Sequence, residues 1–183
     1  MGETELAQVF TVGHSTHALE EFHRLLRANG VERLVDVRRF PGSRRMPHFS
    51  SEALERALGE KGIAYEHVEE LGGFRKPEPD SPNGGWEVKA FQGYADHMRT
   101  PEFAAALERV MAWARESPTA IMCAEAQWRR CHRRLVSDAL LVRGFDVRHI
   151  GSDGRLEPHS LTSFAVVDGD RIEYPPEQLE LRE

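Results

Sequence analysis

The sequence predicts a single α/β domain: a largely parallel central sheet with helices on both faces. Two observations carry this. Short runs rich in apolar and β-branched residues alternate along the chain with stretches whose apolar residues recur at helical spacing. Most of those runs are apolar throughout rather than at every second position, as strands covered on both faces are. With 183 residues, 40% of them hydrophobic and 30% charged, the chain is long enough to bury one substantial core without disulfides or a structural metal.

The first strand is "QVFTVG". A helix follows over Ala18 to Asn29, with Leu19, Phe22, Leu25 and Leu26 on one face and Gly30 as its C-terminal stop. "RLVDV" is the second strand, and "RRFPGSRRMPHF" must be loop, given its prolines and glycine. Ser50 or Ser51 caps the next helix, whose stripe is Leu54, Ala57 and Leu58. "AYEHV" is the third strand, and residues 72–90 form a Gly/Pro-rich loop, with Gly72 to Trp86 placed to act as a lid. Two helices occupy Phe91 to Arg115, broken near Thr100 and Pro101. "TAIMC" is the fourth strand, a helix runs over roughly 127–143 to Gly144, and "FDVRHI" is the fifth strand. Residues 9–150 form the α/β core, and 151–183 a C-terminal hairpin and tail turning at Asp168 and Gly169.

No apolar run is long enough to span a bilayer, and the N-terminus has no basic patch followed by an apolar stretch. A cytoplasmic location is therefore expected, with no membrane partner. Two cysteines do not make a disulfide framework. The net charge of −6 argues against indiscriminate coating of nucleic acid. Cations nevertheless cluster locally: Arg38, Arg39, Arg44 and Arg45 in one segment, Arg129, Arg130, Arg133 and Arg134 in another. Such clusters suit a defined anionic ligand, or internal salt bridges.

In open α/β sheets, ligands bind beyond the carboxyl ends of the strands. After the first strand come His14, Ser15 and Thr16; after the second, Asp36, Arg38 and Arg39; after the fourth, Cys123 and Glu125, then Arg129 to His132. Polar and reactive residues thus recur at one end of the sheet. Within one helix, Arg129 with Arg133 and Arg130 with Arg134 would be like-charge pairs, each costing a few tenths of a kcal/mol and opposed by the helix dipole. Something anionic resolves that conflict: a phosphate, internal carboxylates, or a Cys123 thiolate. Cys123 as a small buried hydrophobe is the plainer alternative.

Cys123, five residues, then Arg129 has the spacing of the anion loop of cysteine phosphatases and rhodanese-type sulfurtransferases. However, "AEAQW" lacks the glycines that let successive N–H groups face one anion. Cys131 and His132 do not match common structural zinc spacings, so no metal site is assigned, although a metal is not excluded. No cofactor is predicted. Ser15 or Thr16 can cap the following helix, while His14 faces the same crevice as Asp36 and Cys123 and suits a general base or a phosphate donor. In "DVRRFPGSRRMPHF", arginine forks match phosphate oxygens, and Phe40 and Phe49 are suited to stack on bases or to anchor the loop.

As a set, Gly13-His14-Ser15, Asp36-Val37-Arg38 with Pro41 and Ser43, Leu71-Gly72-Gly73, and Cys123-Ala124-Glu125 with Cys131-His132-Arg133 resemble the domain-of-unknown-function 488 family. The resemblance runs from about Val9 to Ile150 and implies a compact α/β domain with clustered polar residues. It supplies no reaction.

The functional expectation therefore rests on the chemistry. It is an enzyme acting on a phosphate-bearing substrate, a nucleotide or a nucleic acid. Cys123 is the nucleophile or redox thiol, Glu125 or His14 the acid/base, and Asp36 an orienting group. Ser15, Arg38, Arg44, Arg129 and Arg133 are the anion-binding candidates, with Cys131, His132, Gly72 and Gly73 as further site residues. The rivals are a non-catalytic nucleotide- or nucleic-acid-binding module, indifferent to Cys123→Ser but not to charge reversal at Arg44 and Arg45, and a redox-responsive Cys123–Cys131 pair.

Overall fold

Five strands of the central sheet run parallel because each is returned to the same end by a helical crossover. The structure, a computed structural model, describes residues 5–42 and 44–177. Its elements are β1 (Gln8–Gly13), α1 (Leu19–Ala28), β2 (Arg33–Asp36), α2 (Ser51–Gly59), β3 (Ala64–His67), α3 (Lys89–His97), α4 (Pro101–Glu116), β4 (Thr119–Cys123), α5 (Arg133–Val142) and β5 (Asp146–Ile150). Three short strands follow: β6 (Leu156–Pro158), β7 (Val166–Asp168) and β8 (Arg171–Glu173).

The sheet order is β3-β2-β4-β1-β5-β6, with only β6 antiparallel, and β7 and β8 form a separate hairpin. Alternate residues of each strand feed opposite faces. Val9, Val35, Ile121 and Val147 pack against α3, α4 and α5. Phe10, Leu34, Ala120, Met122 and Ile150 pack against α1 and α2. Caps define the ends: Ser50 Oγ accepts from Ala53 N at 3.4 Å, and Thr100 Oγ1 from Phe103 N at 3.3 Å.

Because β4 lies between β1 and β2, the chain leaves β1 toward one side of the sheet and β4 toward the other. A crevice opens where those two paths part. Gly13 is required there. The segment after β4 folds back over the end of β1, and a Cβ on Gly13 would lie 1.9 Å from the Glu125 carbonyl oxygen.

Three expectations are corrected. The helix expected from 127 begins only at Arg133; before it, Trp128–Arg130 form a single 3-10 turn and Cys131 is extended. Trp128 causes this by turning inward, its ring stacked on His149 at 4.0 Å and its Nε1 donating to Glu157 at 3.0 Å. Arg129 and Arg130 are therefore not helical, and the expected i,i+4 repulsion does not arise. Second, β6 adds an edge strand that hydropathy did not signal. Third, the 72–86 loop is pinned: Asp96 accepts from Glu78 N at 2.8 Å, Ser81 Oγ at 2.6 Å and Asn83 Nδ2 at 2.7 Å. Of the ordered or mobile loop that its composition allowed, it is the ordered one. Ser43 and residues 178–183 of the tail lie outside the described residues. Among the described residues, no helix is long and apolar enough to cross a membrane.

Candidate thiol site

A cavity of about 400 Å³ opens at the carboxyl ends of β1, β2 and β4. Cys123, the last residue of β4, and Cys131, in the turn before α5, both line it and are both reduced and nearly buried. Parallel pairing sets Gly13 beside Cys123, so His14 reaches the same wall. Behind the thiols lies Arg133, 1% exposed. Its Nε donates to Cys123 Sγ at 3.0 Å, its backbone N to Cys131 Sγ at 3.4 Å, and its Nη2 to the Glu125 carbonyl at 2.6 Å.

The two thiols lie side by side, and ionising one opposes ionising the other. Cys131 is the one drawn down: burial opposes charge there, but the neighbouring Cys123, the imidazole of His132 and the Arg133 guanidinium together bring it well below the ordinary thiol value. Cys123 is pushed up first by burial and then by Cys131, and its Sγ donates to the Glu125 carbonyl at 3.7 Å. The His132 ring is fixed in orientation, with Nε2–H donating to the Val37 carbonyl at 2.8 Å and Nδ1 left 3.6 Å from Cys131 Sγ.

The second wall is an ion pair. Arg38 grips Asp36 through Nε (2.9 Å) and Nη2 (2.6 Å), and its Nη1 donates to His14 Nε2 at 3.3 Å. The Tyr65 hydroxyl donates to the same carboxylate, and its pKa is raised by burial and by that neighbour. His14 donates from Nδ1 to the Ser15 carbonyl at 2.9 Å and stacks on Phe49 at 4.4 Å. Burial lowers its pKa, so the ring is neutral at pH 7. With its lone pair turned to Arg38, His14 is a rigid wall and not a free base.

A buried polar chain starts from Arg133. Its Nη1 donates to Thr11 Oγ1 at 3.2 Å, and Thr11 Oγ1 lies 2.6 Å from His149 Nδ1. His149 Nε2 lies 2.9 Å from His159 Nδ1, His159 Nε2 lies 2.7 Å from Asp138 Oδ1, and the Tyr174 hydroxyl donates to Asp138 Oδ2 at 2.8 Å.

Residues 18–140, well over half of the chain, match the family described as "Domain of unknown function DUF488". The chain belongs to the DUF488 family. Gly13-His14-Ser15 lies just before the matched span. No curated protein and no solved structure matches the chain significantly.

In this DUF488 domain the cavity brings together His14, Arg38, Gly73, Cys123, Glu125, Cys131 and His132 from the expected set. Asp36 and Arg133 stand behind it, acting through Arg38 and the thiols. Gly72 is pressed against Arg39, whose Cα a Cβ would meet at 2.6 Å. Three further expected residues lie away from the cavity. Ser15 turns away in a left-handed backbone conformation, φ 46°. Arg44 is exposed on the loop after β2. Arg129 is paired with Glu157 across the outer face of Trp128.

Beyond the expected set the lining includes Arg39 and Arg130 from the arginine clusters, Phe40, already a stacking candidate, and Phe74 and Phe91, which nothing in the sequence marked. Phe74 is 76% exposed with φ 59°, held by Arg39 Nη1 donating to its carbonyl at 2.8 Å. An exposed aromatic in a strained backbone state at a cavity mouth is a functional signal. Among the described residues, no group of three or more His, Cys, Asp or Glu side chains is arranged to hold a metal ion.

Proposed function

We propose that the protein is a thiol-dependent enzyme acting on a phosphate-bearing substrate, a nucleotide or a nucleic acid, with Cys131 as the nucleophile. The observation that supports this best is the pair of adjacent thiols at a cavity wall with one buried guanidinium behind them. Buried Cys–Cys pairs that only pack need no cation.

The division of labour follows from position. Cys131 carries the negative charge and attacks; Cys123 holds the proton to be returned. Arg39 and Arg130 take the phosphate, and Phe40, Phe74 and Phe91 give a planar ring apolar faces to stack on. Glu125, exposed beside Cys123, exchanges protons with solvent. The carbonyls of Glu125 and Ala126 turn toward Arg133, at 2.6 and 3.4 Å, the reverse of an amide-lined anion loop. Attack at phosphorus is therefore disfavoured, and the phosphate serves as a handle while another atom of the substrate reacts.

The test is the alkylation rate of Cys131 against pH in the Cys123→Ser protein, with and without a mononucleotide. We expect a thiolate formed well below the free-cysteine pKa of about 8.5, and slowing by the nucleotide. A thiol titrating at the ordinary value, unprotected by nucleotide, refutes the proposal.

The adjacency of two free thiols favours a second reading, a redox-responsive dithiol. Rapid, reversible formation of an intramolecular disulfide under mild peroxide, with no nucleotide protection, would select it.

A further inference from the structure

Two more hollows adjoin the thiol cavity, one on each side, and share residues with it. On one side lies a hollow of about 410 Å³ reached over Arg39 and Phe74, with Arg75 and Lys76 on its wall. On the other lies one of about 800 Å³ reached over Phe91 and Arg130, containing Trp86 and Arg134. Cations and aromatic rings alternate along the whole path. The Arg134 guanidinium sits 4.9 Å over the Trp86 ring, and that of Arg39 5.6 Å over Phe40. Phe40 and Phe74 themselves lie 6.0 Å apart, 66% and 76% exposed.

The charges on this path are not matched one for one by carboxylates. The pKa of Arg75 is lowered first by burial and then by Arg39, with Glu69 and Glu70 opposing both. Glu78, in the first hollow, faces Arg99 at 3.9 Å, while Glu87 and Glu177 line the second beside Arg129. The cationic stripe there is Arg130 and Arg134. A mononucleotide needs one phosphate site and one stacking site. This path repeats both on either side of the thiols.

We propose that the three hollows form one track for a single-stranded nucleic acid, with one nucleotide in the thiol cavity and its neighbours over Arg134–Trp86 and over Arg75–Lys76. This rests on the reading of the thiol cavity as a nucleotide site and narrows its substrate from free nucleotide to strand. Phe40 and Phe74 offer exposed faces, and over the buried Trp86 ring the Arg134 guanidinium is itself the plane a base meets; stacking on rings and guanidinium groups is the chemistry of sequence-tolerant single-strand binding. A duplex hides its base faces and cannot use the rings. The acidic net charge of −6 confines attraction to the track.

The experiment uses fluorescence anisotropy with labelled single-stranded oligothymidylate and oligouridylate of about ten nucleotides. The same sequences as duplexes and the corresponding mononucleotides serve as competitors. The variants are Arg134→Glu and Lys76→Glu, each checked for an unchanged thermal midpoint, with Arg134→Gln as the milder substitute should Arg134→Glu fail to fold. Both lie outside the thiol cavity. We expect each to weaken strand binding about tenfold, with a shallower salt dependence, and to leave mononucleotide protection of Cys131 unchanged. A strand that binds no tighter than a mononucleotide, a duplex that competes equally, or variants without effect would each overturn the track. Loss of protection by strand and mononucleotide alike would instead refute the thiol-cavity reading itself.

Discussion

At the scale of single residues, the site depends on close approach. Gly13→Ala drives a methyl into the Glu125 carbonyl, at 1.9 Å before relaxation. We expect a loss of about 3 kcal/mol, at the upper end of overpacking costs, read as a fall in denaturant midpoint at unchanged m-value. Cys131→Ser and Cys123→Ser should separate the thiol roles. The first abolishes the low-pH alkylation; the second retains it, because the His132 imidazole and the Arg133 guanidinium still favour charge on the Cys131 sulfur. That the cysteines and His14 gather at one end of the sheet was legible from their places at or near the strand ends. Which cysteine carries the charge was not, because that depends on a guanidinium ten residues from Cys123 and on an imidazole whose other nitrogen is tied to Val37.

Among elements, the strap over residues 74–86 is the one whose order the sequence left open. Glycines and prolines marked it as irregular, and irregular segments are commonly mobile. Its order comes from Asp96 in α3, a carboxylate reached only once the helix packs beneath it. Asp96→Ala should raise amide exchange of Glu78 and Asn83 at least tenfold and leave β1 and β4 protected, as measured by native-state hydrogen exchange. If exchange is unchanged, the strap is held by something other than this carboxylate. α5 teaches the same lesson at its start. Helical periodicity reads through 127–132, but the pull of Trp128 onto His149 delays the helix, and that delay turns Cys131 toward the cavity.

For the whole molecule, the alternation of strand and helix was enough to give the parallel sheet, since crossover connections leave few other topologies. The edge strand β6 carries too few apolar residues to announce itself. Stability against pH is a property of the same scale. His149 is held down to about 2, first by burial and then by His159 and Arg133, against 6.5 for a free imidazole. The unfolded chain therefore takes up a proton near pH 6.5 that the folded chain refuses. Stability is complete above that pH and declines as pH falls toward 2, by up to about 1.4 kcal/mol per unit from this residue alone. His14 and His97, also lowered by burial, act in the same sense. His149→Gln, which keeps an acceptor and a donor, should flatten the fall in thermal midpoint between pH 6.5 and 5. An undiminished slope would place the titration elsewhere.

The buried chain from Arg133 to Asp138 runs one way. A guanidinium at its head can only give hydrogens and a carboxylate at its foot can only receive them, and with both imidazoles neutral this sets every link between. The Thr11 hydroxyl gives to His149 Nδ1, His149 Nε2–H to His159 Nδ1, and His159 Nε2–H to Asp138. Both imidazole tautomers follow from the two ends. No link can reverse without stranding its neighbours. Thr11→Val, nearly the same shape, leaves Arg133 Nη1 and His149 Nδ1 facing a methyl group, and should cost roughly 3 kcal/mol through two orphaned buried groups. The same break frees the guanidinium that steadies the thiols, so a hydroxyl on the far side of Arg133 sets how firmly the reactive pair is held.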